Sequence, residues 1–420
     1  MRIEASTGYS AAAPTEALAL RQGPPSAVRS ALLAARQRTL QLAEDFRQAL
    51  GPAPHVPYAP ELNPPLWELG HVAWFQEWWI ARNPQRHLGV HADPGAHRLP
   101  SRVPQADACY DSSRVGHRAR WELPLPGADA TGDYLARTLE HTLQLLGALD
   151  GADDDRLYFF RLAAVHEQMH AEAAVYMAQA LGIPLRESQE PPRVEHLAEL
   201  PVGPLRFGIG VSCAGFAFDN ELPAHEVELP RFEIDSSPVS WGAFLPFLEA
   251  GGYEDPRWWT EPGRTWLASL RERRPAGVRR VAGHWEQMRH GSWRRLRAQE
   301  VAVHLSAHEA DAWCRWAGRR LPTEAEWECA ALTQPRFRWG QAWEWTASPF
   351  APYPGFVPHP YRDYSQPWFG TRRVLRGASP ATSPALAHAR YRNFFEPHRR
   401  DVLAGFRSVR TNDPPMGSAV

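Results

Sequence analysis

The stretch RLYFFRLAAVHEQMHAEAAVYMAQAL, Arg156 to Leu181, is apolar at helical rather than alternating spacing, and Gly182 and Pro184 follow it. Text with a 3.6-residue period that ends in glycine and proline reads as one long helix. Inside it, HEQMH sets His166 and His170 on one face, about 6 Å apart. Two neutral imidazoles at that spacing suit one cation, and the third ligand then decides the chemistry. The same letters match the H-E-x-x-H pattern of zinc proteases, which needs a Glu or an HxxGxxH run shortly downstream. Glu172 stands too close on the same helix and no HxxGxxH follows, so the protease reading is weak. Glu167 and Glu172 are read as groups that orient the ligands from outside, or as surface charges.

Working outward, three more segments share the helical period: Ser26 to Ala49, Pro65 through LWELGHVAWFQEWWIAR to a stop at Asn83-Pro84, and Gly132 to Leu149. Four amphipathic helices make a four-helix bundle, whose interior commonly houses metal sites. His71, in LGHVAWFQE, is the candidate third ligand. A lone His on an apolar helix is more often packed core. Three imidazoles on adjacent helices, however, cap one face of an octahedron and leave positions open, which suits non-haem Fe(II).

The composition shifts near Pro184, after which short apolar runs are separated by Gly, Pro, Asn and Asp. Residues 1–25 read as disordered, 26–185 as the bundle, 186–200 as a linker and 201–412 as a second domain. Helices are expected there at Trp241 to Ala250 and Ser306 to Ala317. The fold class is therefore α+β, in two domains.

A net charge of -1 over 420 residues offers no basic field to nucleic acid or an anionic membrane. The first residues lack the apolar core of a signal peptide and no run of about 18 apolar residues occurs, so the expected location is the cytoplasm. Cys109, Cys213, Cys314 and Cys329 are widely spaced, which disfavours a zinc ribbon or a disulfide framework. The 18 Trp residues, many in Pro- and Gly-rich text, point to an irregular aromatic-packed module or a cleft that stacks a cation.

The second half carries DNELPAHEVELPRFEID (Asp219 to Asp235), PVSWGAFLPFLEAGGY (Pro238 to Tyr253), GRRLPTEAEWECAA (Gly318 to Ala331), WEWTASPF (Trp343 to Phe350), RVLRGAS (Arg373 to Ser379) and YRNFFEPHRRDVLAGFRSVR (Tyr391 to Arg410). In that order these resemble the formylglycine-generating-enzyme/sulfatase-modifying fold, a C-type-lectin-like module. The first half resembles the DinB-like bundle that precedes this module in ergothioneine sulfoxide synthases and their relatives. The resemblance implies an Fe(II) enzyme that uses O2 as co-substrate to join a chalcogen to C2 of the imidazole of hercynine. It implies that His71, His166 and His170 hold the iron and that Tyr361 is the catalytic proton donor. It places Tyr364 in the lining of the hercynine site, and Asn393 and Phe394 in the loop that contacts hercynine.

The sequence departs from the pattern at the chalcogen donor. Relatives that use γ-glutamylcysteine hold it with two Arg and an Asp. Here YDSSRVGHRARWELPLP, Tyr110 to Pro126, keeps Arg120 but has His117 at the other Arg position, and Phe395 stands where the Asp would lie. Loss of charged partners for a zwitterionic peptide typically costs on the order of a few kcal/mol of binding. The text from LWELGHVAWFQEWWIARNPQR through LPSRVPQADACYDSSRVGH is more similar to selenoneine synthases, which join a selenosugar to hercynine by a C–Se bond. On that reading Asp111, Ser112 and Ser113 offer hydrogen bonds to sugar hydroxyls; otherwise they are turn residues. The expected partners are thus hercynine and a selenosugar. The alternatives are an ergothioneine-type sulfoxide synthase that takes cysteine or γ-glutamylcysteine, and a non-catalytic lectin-like binding protein.

Overall fold

The computed structural model describes residues 9–10, 14–149, 151, 153–187, 190–194, 197–212 and 214–411. The first half is helical: α1 (Thr15–Gln22), α2 (Pro25–Leu50), α3 (Pro65–Gln76), the short α4 (Ala106–Tyr110), α5 (Ala128–Gly147) and α6 (Asp154–Leu181). Each long helix has a local reason to start or stop. Pro25 and Pro65 open α2 and α3 at the turn where a missing N–H costs nothing. The Asp153 carboxylate accepts from the Arg156 backbone N–H at α6, and Gly182 ends it in the left-handed conformation at φ 69°. Helix α3 does not stop at Gln76 but widens into a π-helical turn over Glu77–Ala81, beside the metal-ligand candidates. Helices α2, α3, α5 and α6 pack as the bundle, on a core that includes Leu32, Trp67, Phe75, Leu135 and Phe159.

The second half is α+β and irregular. Its helices are α7 (Trp241–Glu249), α8 (Glu261–Ser269), α9 (Ala307–Trp316) and α10 (Glu324–Thr333). The central sheet pairs Ala342–Pro349 antiparallel with Arg373–Ala378, which carries Asn393–Phe395 on its other edge. A second sheet orders Glu199–Val202, Phe232–Asp235, Val409–Arg410 and Arg319–Arg320. These strands are short, and much of the core between them is ionic. Arg376, Arg392 and Arg407 are buried among Glu324, Glu328 and Glu344. The stretches TEAEWE, WEWTASPF, RVLRGAS, YRNFF and GFRSVR are this network written in one dimension.

Three expectations are corrected. Residues 1–25 are not wholly disordered: Thr15–Gln22 forms a helix whose Arg21 makes a bidentate pair with the fully buried Glu221, at 2.8 and 2.9 Å. The ordering force is a contact 200 residues away, and eight residues are too few to show a period. Residues 1–8 and 11–13 lie outside the described residues. The segment 186–200 is not all linker, because Glu199–Val202 is a strand on Phe232–Asp235 and Val194 N–H donates to the Gln299 carbonyl. The second domain also has α8 and α10 beyond the two expected helices. Each is set by a threonine cap: Thr260 on Gly263 N–H, and Thr323 with Glu326 in a reciprocal box.

Helix α6 is shared between the halves. Glu172 accepts from Trp343 Nε1 at 2.6 Å, Thr382 Oγ1 at 2.8 Å and Ser379 Oγ at 3.1 Å, and from its own helix through Tyr176. One helix therefore carries the metal-ligand candidates on one side and the anchor for the second domain on the next. Among the described residues no helix is long and apolar enough to cross a membrane. Cys109, Cys314 and Cys329 are free and buried.

Candidate metal centre and its flanking cavities

His71 on α3 and His166 and His170 on α6 converge, with one nitrogen from each within 4.8 Å of the others. Their ring centroids lie 4.4 to 5.1 Å apart. Each ring is fixed from behind. His71 Nδ1–H donates to the Tyr110 carbonyl at 2.8 Å, which leaves Nε2 bare toward the centre. Tyr110 reaches that point because Gly70 has no side chain: a Cβ there would sit 2.2 Å from the Tyr110 ring. His170 Nδ1 meets Glu68 Oε2 at 2.5 Å, the carboxylate–histidine arrangement that raises ligand basicity. The His166 ring stacks on Phe75 with centroids 3.5 Å apart.

Electrostatics favours the neutral, ligating form. Burial holds His71 down to about 3, with the neighbouring His170 adding to the effect, and burial holds His166 well below its usual range. For Glu68 burial acts upward, yet His170 and its hydrogen bond outweigh it and the carboxyl falls to about 2. Three nitrogen donors, of which burial keeps His71 and His166 neutral, with a supporting carboxylate fit a divalent transition metal with open positions.

Glu167, the Glu of HExxH, is turned away from this centre. It pairs with the buried Arg36 at 2.7 Å, and Arg36 also donates to Gln76 Oε1 at 2.7 Å and to the Leu135 carbonyl. A protease base would face the metal-bound water; this one is locked behind the helix. Neither Glu167 nor Glu172 is a surface charge, since both are buried.

A cavity of about 300 Å³ is bordered by His170 and Glu68, and two further cavities near the triad take the candidate residues. One, of about 320 Å³, is bordered by His170, Glu172, His117, Asn393, Phe395 and the Arg399–Asp401 pair. The other, of about 340 Å³, is bordered by Tyr361, Asp111, Ser112, Trp74, Trp78 and Asp363. The candidate donor residues are thus not gathered in one place: His117 and Phe395 face the first cavity, Asp111 and Ser112 the second. His117 Nε2–H donates to the Leu62 carbonyl at 2.8 Å. Arg120 lies a layer back, its guanidinium 3.8 Å above the Trp67 ring and bonded to Asn63 Oδ1 at 2.9 Å. Asp111 Oδ1 accepts from the Ser113 backbone and hydroxyl at 3.0 and 2.6 Å, so these residues do form a turn.

Tyr361 stands against the metal side, its ring 4.9 Å from Phe75 and 6.2 Å from His166. Burial, followed by the charges of Asp363 and Asp111, pushes its phenol far up, so it keeps its proton at neutral pH. Tyr364 stacks on Phe218 at 4.1 Å and shares a 2.9 Å hydrogen bond with the Tyr391 hydroxyl. Phe394 stacks on Phe350 at 4.0 Å, which turns its face into the core, while Asn393 and Phe395 border the cavity. Sequence reasoning missed Glu68, although its position three residues before His71 puts it on the same helix side. It also missed the Tyr110 carbonyl and Asp363, for which no spacing signal exists.

This geometry puts a three-histidine centre at the seam between a helical bundle and an α+β domain. The sulfatase-modifying factor enzyme 1-like domain model matches residues 184–341 and 338–412, which defines the class of the second half. A formylglycine-generating enzyme of Streptomyces coelicolor is 27% identical to 49% of this chain, over 86% of its own length. Hercynine oxygenases match on both halves: that of Mycolicibacterium smegmatis is 33% identical over 90% of this chain and 96% of its own length, and that of Mycobacterium tuberculosis matches at the same identity and coverage. The chain belongs to the hercynine oxygenase family.

Proposed function

We propose that this protein is an O2-dependent, non-haem Fe(II) enzyme that joins a chalcogen to C2 of hercynine, with a selenosugar as donor and selenoneine as the end of the route. The observation that carries the reading is the convergence of three imidazoles with a protonated phenol beside them. His71, His166 and His170 would hold the ion. Bound ferrous iron supplies one-electron chemistry and activation of O2.

The chain's own residues position, shield and protonate. The cavity at Asn393, Phe395 and Tyr391 suits a betaine: aromatic edges and faces attract a trimethylammonium group, and the Glu61 carboxylate borders it, while Asp401 is paired with Arg399 and Glu172 with donors of the second domain. Tyr361, 4.9 Å from Phe75 in a largely aromatic wall, holds a proton on its hydroxyl for a substrate atom at the centre. Glu68 and the Tyr110 carbonyl fix which ring nitrogen faces inward. The selenosugar donor is supported by the replacement of charged partners at His117 and Phe395. An ergothioneine-type sulfoxide synthase is the second reading, favoured by the Arg120 that remains.

The test is an anaerobically Fe(II)-loaded assay with hercynine, then O2, and competing donors read by mass spectrometry. A selenium-containing product formed from a 1-selenosugar and not from γ-glutamylcysteine or cysteine is the expected result. Sulfoxide from either thiol donor, with no selenosugar product, would return the chain to ergothioneine-type chemistry.

A further inference from the structure

Tyr361 is carried by a short loop, and both ends of that loop meet one carboxylate. The loop runs from His359 to Ser365 outside any helix or strand, folded back by the Tyr364 N–H on the Tyr361 carbonyl at 3.2 Å. At its start the His359 backbone N–H donates to Asp219 Oδ2 at 3.3 Å. At its end the Ser365 hydroxyl donates to Asp219 Oδ1 at 2.5 Å. Between these ends the Tyr361 ring packs on Phe75 and Trp79, with centroids 4.9 and 6.2 Å apart, along α3 and its π-helical turn. Among the described residues the Tyr361 hydroxyl has no hydrogen-bond partner, so its place is set by ring contacts and by the backbone that Asp219 holds.

Asp219 is itself fixed. It is buried with Ser365, and beside it Glu221 accepts from the Phe218 N–H at 2.9 Å while Arg21 binds both Glu221 oxygens. The Ser365 hydroxyl accepts from Asn220 Nδ2 at 3.0 Å, which leaves its own proton for Asp219. Both partners of Asp219 are therefore donors, and the site calls for two acceptor oxygens. A carboxylate supplies them, whereas an amide would turn an N–H on one of the two donors. Among the described residues no cation pairs with Asp219. A buried carboxylate held only by neutral donors is unfavourable, so its place here is explained by the two loop ends it joins. The loop start has a further hold: His359 Nδ1 accepts from the Tyr158 hydroxyl at 3.1 Å, on the same helix as His166.

We infer that Asp219 is the positioning residue for Tyr361: by closing both ends of the 359–365 loop on one carboxylate, it sets where the phenol stands relative to the three histidines. The inference rests on the reading of Tyr361 as proton donor and adds the residue that places it. Asp219 touches neither substrate nor metal ligand and acts only through the loop.

The experiment uses the full chain labelled with 3-fluorotyrosine and loaded with diamagnetic Zn(II), so that fluorine resonances stay sharp. The Tyr361 resonance is identified by its loss in Tyr361→Phe. Asp219→Asn should shift or broaden that resonance, while the resonances of Tyr58 and Tyr134 in the bundle and the metal content stay as in the parent protein. Ser365→Ala, which frees one end of the loop only, should give a smaller change of the same kind, and it carries the test if Asp219→Asn does not fold. In the Fe(II)-loaded assay with hercynine, donor and O2, Asp219→Asn should lower kcat by about tenfold or more in the parent and by less than about twofold in Tyr361→Phe. An unmoved Tyr361 resonance overturns the inference, as do rate losses that multiply in the double variant or a change that spreads to Tyr58 and Tyr134. If Tyr361→Phe turns over at the parent rate, the proton-donor reading falls, and the Tyr361 resonance alone decides whether Asp219 places the ring.

Discussion

The two halves bury polar groups in different proportions. Beside the buried Arg36–Glu167 pair, the bundle core holds three imidazoles with ring nitrogens pointed at a common centre, and burial keeps His71 and His166 neutral. The second domain holds full charges: Arg407 and Glu344 are wholly buried together, and Arg376 and Arg392 share Glu324. The helices of the bundle satisfy their own backbone and need only an apolar stripe to pack, so polar residues in the interior are free to serve chemistry. The short strands of the second domain cannot define its loops, and paired charges tie those loops down. Breaking such a pair strands a buried ion, which is why its removal costs more than the pair itself is worth.

The largest effect should come from the proposed metal ligands. His166→Ala should reduce bound metal to near zero by elemental analysis while circular dichroism keeps the native helical signal. If the fold is lost along with the metal, the bundle does not stand on its apolar packing and the contrast fails. Next, Arg407→Met should destabilise the second domain by about 3–5 kcal/mol, because Glu344 then keeps only Trp327 Nε1 as partner. Arg407→Met combined with Glu344→Leu should recover part of that loss in urea denaturation. A double variant no better than the single would show that the charges specify the fold and not merely each other.

Acid should act through the buried histidines. Burial lowers His304, His308 and His359 to about 4, each against a usual value of 6.5. The folded state therefore refuses protons that the unfolded chain accepts. Stability is complete above the usual value and is lost as pH falls from about 6.5 toward 4. Thermal midpoints of the metal-loaded protein should decline over that window, and His304→Asn, which tolerates the φ of 63°, should shallow the decline. An unchanged slope would remove His304 from the account.

Glu68→Gln sharpens the comparison from the bundle side. Glu68 is a part-buried carboxylate bonded to His170, so on the proposed iron site its loss should weaken metal binding about 10–100-fold without unfolding the chain. Chelator competition measures this, and unfolding in place of weaker binding would make Glu68 a structural charge like those of the second domain.

What could be read beforehand follows the same division. The four bundle helices and the His166–His170 pair were legible because the helical period and i, i+4 spacing are local facts, whereas His71 joined them through the resemblance. The second domain was legible only as motif resemblance, since its buried Arg–Glu pairs join residues 48 to 68 positions apart and leave no periodic trace. Helix α1 was missed for the same reason, its order being set by Glu221. The division of the candidate donor residues between two cavities was also invisible: Asp111 and His117 are six residues apart, yet with the turn at Asp111–Ser113 between them they border different cavities.

The smallest effect distinguishes the halves most finely. Asp153 caps α6 through one exposed hydrogen bond to Arg156 N–H at 2.9 Å, so Asp153→Ala should cost about 1 kcal/mol. Thr323 caps α10 in a box in which Glu326 accepts from the Thr323 N–H at 2.8 Å and also pairs with Arg320 at 2.6 and 2.8 Å. Removing that hydroxyl loosens a carboxylate on which a second contact depends, so Thr323→Ala should cost more than Asp153→Ala, toward the upper end of the roughly 0.5–2 kcal/mol range for caps. The two variants can be compared by urea denaturation at one pH, with Arg320→Ala and the Thr323→Ala/Arg320→Ala pair completing a double-mutant cycle. A coupling energy indistinguishable from zero would mean that the ionic contacts of the second domain act one by one, as the bundle's cap does, and the contrast between the halves would then lie in burial alone.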